Sequence, residues 1–439
     1  MLHPTPLIRL PGPGADHYGV GQFAADRTGP VGNTLPDGAG AAGAGEGRMN
    51  IDKCINLDDL RVLAKKRVPK LVYDFIEGGV EDEDGLRRNE DAFACRSLVP
   101  RYMVDISTTD QSVELFGRTW SSPYGIAPTG GIGNYRRGGD LMLLRAARDA
   151  NIPFIMSGAA TLSMEAMARK APEHGWYQMY TAKDRSISED MIRRAADAGI
   201  PALVVTVDVP VHSNRERNRR NGFGRPLRLT LRTKLDTLRH PAWLKDYMRH
   251  GFAMLENWQP YAPAGASALQ VGDFVATQMP TSLTWADIER FRALWPRTLI
   301  LKGVMRTDDA LRAAEAGVDG LMVSNHGARQ LDRAPSPLEV LPALDAAVGE
   351  RMVLMLDGGV RRGADILIAL ASGAKFVFLG RPTLYGAVAG GAAGAVKAVD
   401  ILRDEINTVM AQIGCPSLDQ LGPDFLHRDP EDAGRNIRL

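Results

Sequence analysis

Eight short apolar runs, each closed by turn-forming or polar residues, end near Pro128, Ser157, Tyr180, Asp208, Lys302, Asn325, Asp357 and Gly380. Successive ends lie 29, 23, 28, 94, 23, 32 and 23 residues apart. That is the length of one strand-plus-helix unit, with a single long excursion between the fourth and the fifth. The intervening segments carry helix punctuation. Ser186-Ile187-Ser188-Glu189 is a capping-box pattern whose helix should stop at Gly199, before Pro201. Thr307-Asp308-Asp309 opens a helix that Gly317 closes, and Gly373 closes one that begins near Arg362. Eight such units predict a closed parallel (β/α)8 barrel. An open doubly wound sheet fits less well, because no Gly-x-Gly-x-x-Gly follows the first strand.

The barrel does not take up the whole chain of 439 residues. Residues 1–48 hold 11 glycines and 6 prolines with no apolar period, too little apolar surface to offset the entropy of ordering, so a disordered extension is expected there. The barrel domain is then 49–439, with an N-terminal helical cap and a C-terminal tail. Met49, where the composition changes, is a candidate alternative start. A net charge of +1 gives no electrostatic case for nucleic acid. Three scattered cysteines, Cys54, Cys95 and Cys415, fit a reducing compartment and not a disulfide framework or a zinc site. No apolar stretch is long enough for a membrane span, and the N-terminus lacks a secretory pattern. The expected address is the cytoplasm.

In barrels of this type chemistry sits at the C-terminal ends of the strands. Here those ends carry Pro128-Thr129-Gly130, Ser157, Gln178 with Tyr180, Thr206 with Asp208, Lys302, Ser324-Asn325-His326, Asp357-Gly358-Gly359 and Gly380-Arg381. A hydrogen-bonding group at all eight mouths implies a ligand above the barrel. Glycines after the seventh and eighth strands, with Arg361 and Arg381 close by, suit a phosphate: small residues admit backbone N–H groups and arginine binds the charge bidentately.

Ser324-Asn325-His326-Gly327-Ala328-Arg329-Gln330-Leu331-Asp332 is the most specific stretch. It resembles the signature of the FMN-dependent 2-hydroxy acid oxidase and dehydrogenase family, and in particular its bacterial mandelate and lactate dehydrogenase branch. The likeness runs from about Ile51 to Pro423 and includes Lys302 and the Asp357-Gly358-Gly359-Val360-Arg361 run. It implies an enzyme that binds FMN and oxidises an (S)-2-hydroxy acid to the 2-oxo acid. Such a reaction needs a base, a cationic clamp and an electron sink. His326, with an ordinary pKa of about 6.5, is the candidate base; His174 and His212 read as structural. Arg329 and Arg215 would converge on the substrate carboxylate, although Arg215, Arg217, Arg219 and Arg220 also read as a solvated charge run. The resemblance makes Asp208 the partner of the imidazolium and points the Tyr180 phenol at the substrate oxygen. It places Lys302 beside the flavin N1 and O2, and gives Pro128 to Gly130, Ser157, Gln178, Thr206 and Ser324 to the ring and ribityl chain.

Three positions depart from the family pattern or sort within it. A substrate-binding tyrosine is expected where Phe75 stands, in Val72-Tyr73-Asp74-Phe75; the missing hydroxyl implies weaker carboxylate binding or a different substrate, unless Phe75 simply packs. Ala159 replaces a bulky tryptophan of glycolate oxidases, which favours an aromatic substrate such as mandelate, with L-lactate second. Gly130 resembles the dehydrogenase branch, and the oxidase branch usually has alanine. Residues 225–256 of the excursion carry seven Lys/Arg against three Asp/Glu, with apolar Leu227, Leu229, Leu231, Trp243, Leu244, Tyr247 and Phe252. This stretch resembles the membrane-attaching segment of the mandelate dehydrogenase branch, which implies a peripheral protein on the inner face of the cell membrane and a quinone acceptor; a homo-oligomer is expected separately. An ordinary loop covering the site is the other reading of the stretch. An oxygen-using oxidase, or a flavin-binding barrel isomerase acting on a phosphorylated substrate, is the alternative activity.

Overall fold

The computed structural model describes residues 50–223, 230–279 and 282–427; the expectations for residues 1–48 and for Leu227 and Leu229 lie outside them. Eight parallel strands close into a barrel: β1 (Tyr124–Ile126), β2 (Phe154–Met156), β3 (Gly175–Tyr180), β4 (Ala202–Thr206), β5 (Thr298–Lys302), β6 (Gly320–Val323), β7 (Val353–Asp357) and β8 (Phe376–Leu379). Closure is made by β8, whose Val377, Phe378 and Leu379 pair with Tyr124, Gly125 and Ile126 of β1. The (β/α)8 expectation holds, and each strand ends within two residues of its anticipated position.

Side chains alternate along every strand, so each strand feeds two cores. Ala202, Val204, Ile300, Met322, Met355, Phe376 and Phe378 point into the barrel. Leu203, Val205, Leu299, Leu301, Leu321, Leu354 and Val377 pack outward against the helices. A hairpin, Val113–Leu115 with Arg118–Trp120, brings Leu115 and Trp120 into the inner cluster and plugs the N-terminal mouth. Only the C-terminal mouth is left for polar groups.

Three helices precede the barrel: α1 (Leu57–Arg67), α2 (Lys70–Glu77) and α3 (Asp84–Ala94). Asn56 caps α1 by accepting from the Asp59 N–H at 2.8 Å. Asp58 and Asp59 in its first turn and Lys65, Lys66 and Arg67 in its last complement the helix dipole. The helix after β3 starts earlier than the capping-box reading suggests. Asp184, not Ser186, is the N-cap of Arg185–Asp197, with its side chain accepting from the Ser186 N–H. Gly199 at φ 77°, Gly317 at 74° and Gly373 at 112° end their helices in the left-handed region, as expected. The small-residue stretch Gly386 to Val396 is a crossing point: the last helix, Arg381–Gln412, breaks at Gly391 (φ 62°), and Gly386 and Gly394 approach so closely that neither has room for a Cβ.

Candidate active site

The end of β6 determines the geometry of the mouth. His326, Gly327 and Ala328 all take positive φ, at 58°, 60° and 57°, a left-handed turn that two non-glycine residues hold only when surrounding contacts enforce it. Those contacts are present. Ser324 Oγ accepts from the His326 N–H at 3.0 Å, and Asn325 Oδ1 accepts from the Ala328 N–H at 3.1 Å. Asn325 and Asn89 of α3 exchange two side-chain hydrogen bonds, at 2.9 and 2.7 Å. The turn swings the His326 ring over the barrel, where its Nδ1 lies 2.7 Å from Asp208 Oδ1. Asp208 fits beside β5 because Gly303, at φ 110°, has no side chain; a Cβ there would stand 2.5 Å from Asp208 Cβ.

Lys302 lies beneath this pair, 4% exposed. Its Nζ donates to Ser324 Oγ at 2.8 Å and lies 3.3 Å from Asp357 Oδ2 and 3.8 Å from Asp208 Oδ2. Burial opposes the charge on Lys302, but the two carboxylates outweigh it and raise the ammonium above its ordinary value. Burial alone would raise the Asp208 carboxyl; His326 and Lys302 outweigh it and hold Asp208 below the carboxylate range. For His326 burial dominates. It pushes the imidazole below its ordinary value against the pull of Asp208, with Lys302 adding to the fall. The result is a neutral ring whose Nδ1 is fixed on a carboxylate and whose Nε2 is left to accept a proton. The Tyr180 ring centroid is 6.4 Å from that of His326.

The anticipated arginine run separates. Arg217 pairs with Glu83, Arg220 with Glu216, and Arg219 donates to Asn214 at 2.7 Å, so the solvated-face reading describes these three. Arg215 alone turns inward, its guanidinium carbon 5.7 Å from the centroid of the Phe75 ring. Arg329 lies over the same ring at 5.0 Å and donates to the Gly78 carbonyl at 2.8 Å. Arg381 joins them at the end of α2, donating to the carbonyls of Ile76, Gly78 and Gly327 at 3.1 Å each. Burial, then the charges of Arg215 and Arg381, push Arg329 well below its ordinary value. Arginine does not release its proton in proteins, so this shift expresses a charge that is first buried and then repelled by its neighbours, a cost that a bound anion would relieve.

Other anticipated ligands have local partners. Arg361 donates to Val360 O at 2.9 Å and pairs with Glu90 at 2.8 Å, so its guanidinium is directed at α3. Ser324 Oγ is taken by Lys302 and the His326 N–H, which makes it a positioner of both. Gly130 O accepts from Tyr135 at 2.9 Å. Gly359, at φ 84°, leaves no space for a Cβ beside the Asn89 carbonyl, and Gly358, at 101°, faces Asn89 and Asn325; both glycines admit α3. A Cβ on Gly380 would meet Thr129 Cγ2 at 3.6 Å, an ordinary contact. A Cβ on Gly130 would lie 3.1 Å from Ala159 Cβ and 3.4 Å from Ser157 Oγ.

The family described as FMN-dependent dehydrogenase matches residues 64–428, most of the chain. The chain belongs to that family. It is 40% identical to the (S)-mandelate dehydrogenase of Pseudomonas putida over 375 residues, 85% of this chain and 94% of that protein. It is 37% identical to a putative L-lactate dehydrogenase of Mycobacterium tuberculosis over 380 residues, 86% of this chain and 90% of that protein. A solved structure of the monotopic membrane protein (S)-mandelate dehydrogenase superposes with a TM-score of 0.83 at 40% identity, covering 86% of this chain and all of that one.

The mouth fits the cofactor of the FMN-dependent dehydrogenases. Gln178 Nε2 and Thr206 Oγ1, near the ends of β3 and β4, are buried and have no hydrogen-bond partner among the described residues. Asp208 Oδ2 and Asp357 Oδ1 likewise lack a hydrogen bond among the described residues, although Lys302 Nζ stands 3.8 Å from the former. Buried polar atoms left unmatched are costly, and a heteroaromatic ring rich in donors and acceptors would satisfy them. Sequence reasoning missed Asn89, Gly303, Tyr135 and the C-terminal carbonyls of α2. Gly303 could have been found, since it follows Lys302 directly; Asn89, 236 residues from its partner, leaves no local signal.

Proposed function

We propose that this FMN-dependent enzyme oxidises an (S)-2-hydroxy acid, mandelate before L-lactate, to the 2-oxo acid, and that a quinone takes the electrons. The observation that carries the reading is the convergence of the His326–Asp208 pair with the inward-facing Arg215 and Arg329 above one mouth. In this reading Arg215 and Arg329 bind the substrate carboxylate and turn the carbinol toward His326, with the Tyr180 phenol at the substrate oxygen. His326 takes a proton at Nε2, and Asp208 stabilises the resulting cation through Nδ1. Lys302, held by Asp357 and Ser324, keeps positive charge at the buried floor where negative charge develops. Gln178, Thr206, Ser157 and the Pro128, Thr129 and Gly130 backbone would hold the FMN ring. Gly358, Gly359, Gly380 and Arg381 would hold its phosphate, with Arg361 at the edge beside Glu90. FMN supplies a two-electron acceptor. The small Gly130 and Ala159 leave room for an aryl group. The name of the mandelate dehydrogenase relative supports the aromatic substrate.

Attachment to an anionic membrane surface belongs to the same proposal. Among the described residues no helix is long and apolar enough to cross a membrane. The described part of the basic stretch 225–256 instead forms the helices Leu231–Leu238 and Pro241–His250. Their aromatic side is turned inward: Trp243 stacks on Tyr247 at 5.4 Å, Tyr247 meets Phe252 at 5.2 Å, and Trp243 Nε1 donates to Asn134 O at 2.9 Å. The outward face carries Leu231, Leu235, Leu238 and Met248, 54–76% exposed, with exposed Arg232, Lys234, Arg239, Lys245 and Arg249 around them. Such a surface suits the boundary of an anionic bilayer, and the monotopic membrane relative supports it.

Anaerobic addition of (S)-mandelate or L-lactate to the yellow protein tests the activity. Loss of the flavin absorption band is expected. A yellow protein reduced by no 2-hydroxy acid would overturn the reading and favour an isomerase.

A further inference from the structure

Phe75 lies on α2 one residue before Ile76, at the helix end where Arg329 and Arg381 are anchored. Two guanidinium groups face its ring, Arg329 at 5.0 Å and Arg215 at 5.7 Å from the centroid. Aromatic neighbours fix the ring in turn: Phe223 meets it edge-on at 5.1 Å and Tyr135 lies at 5.8 Å. The position therefore lacks a hydroxyl but keeps an aromatic face in contact with both cations. Two like charges buried together repel, and the negative face of a π system attracts each of them, more strongly where water is excluded. A clamp held at its working spacing before the anion arrives loses less entropy on binding.

We propose that Phe75 is a positioning residue, which holds Arg215 and Arg329 at carboxylate-binding spacing by presenting its ring face to both guanidinium groups. This rests on the reading of those arginines as the carboxylate clamp. The ring does the work that matters here, so restoring the hydroxyl with Phe75→Tyr should keep the clamp and add one donor.

The experiment uses the FMN-loaded full-length chain. Binding of phenylacetate, which has the carboxylate and aryl ring but no hydroxyl to oxidise, is followed by the perturbation of the flavin spectrum. The limiting rate and apparent Kd of anaerobic reduction by (S)-mandelate are measured alongside. Phe75→Leu should raise both dissociation constants about tenfold, close to 1.4 kcal/mol, with a smaller fall in the limiting rate. Phe75→Tyr should bind as tightly as the wild type or several-fold tighter. Replacing Phe75 by pentafluorophenylalanine keeps the shape and reverses the ring quadrupole; it should weaken phenylacetate binding like Phe75→Leu, and it decides the matter if Phe75→Leu does not fold. Wild-type affinity in the fluorinated protein would overturn the proposal, as would a limiting rate that falls while both constants hold. Arg329→Met separates the underlying reading: if phenylacetate binds that variant as it binds the wild type, the carboxylate clamp itself is wrong, whatever Phe75 does.

Discussion

His326 gains its competence as a base from a conflict between burial and charge. Because burial outweighs Asp208, the neutral, proton-accepting ring should persist below the ordinary imidazole value of about 6.5. Flavin reduction followed against pH should therefore hold its rate to below that value and fall only as the pH drops through the lowered pKa. Asp208→Asn removes the anion that favours the imidazolium, so its acid limb should move to still lower pH while the rate drops; a limb that moved upward would contradict the assignment. His326→Ala should retain FMN and lose about 10²- to 10⁴-fold in reduction rate, measured by stopped-flow absorbance. The places of these residues at one mouth were legible in the sequence because His326 and Arg329 lie in one contiguous motif and Asp208 and Lys302 stand at strand ends; their proposed roles came from the family resemblance. The positioning role of Ser324 was not, since it depends on the left-handed turn that brings Lys302 beneath it.

Among the helices, α3 illustrates what a linear reading leaves out. Its Asn89 locks Asn325 through a reciprocal amide pair, and its approach explains the smallness of Gly358 and Gly359. A linear reading points to phosphate at those glycines because their other constraint, Asn89, stands 269 and 270 positions earlier in the chain. Asn89→Ala removes two hydrogen bonds from the buried Asn325 amide and leaves it the Ala328 N–H and the Pro335 carbonyl, a change that should destabilise the protein by about 1–3 kcal/mol. The thermal transition should fall and FMN should dissociate faster, both followed by flavin fluorescence on heating. An unchanged transition would mean that Ala328 and Pro335 suffice to hold Asn325. Local signals served better at helix ends, where Gly199, Gly317 and Gly373 stop their helices as expected. At the start of Arg185–Asp197 two capping residues stand close together, and the one two residues earlier, Asp184, is the cap.

The closed barrel could be read from spacing alone, because each strand-plus-helix unit repeats the same chain length and one excursion interrupts it. Which side of the excursion faces outward could not be read in this way: Trp243 and Tyr247 are one helical turn apart and would present the same periodicity on either side. With the aromatics turned inward, the membrane proposal falls to the leucines. Leu235→Glu combined with Leu238→Glu should abolish co-sedimentation with anionic vesicles at low salt while (S)-mandelate still reduces the flavin, and added salt should release the wild type. Continued sedimentation of the double variant would remove this face from the role. The anchoring of the arginines on α2 has a further consequence, for biosynthesis. The carbonyls of Ile76 and Gly78 are among the first parts of the domain to leave the ribosome, yet Arg329 and Arg381 follow them by 251 to 305 residues. The nascent chain must keep the end of α2 available through most of translation, and a product truncated before Arg381 would emerge without the groups that complete its mouth.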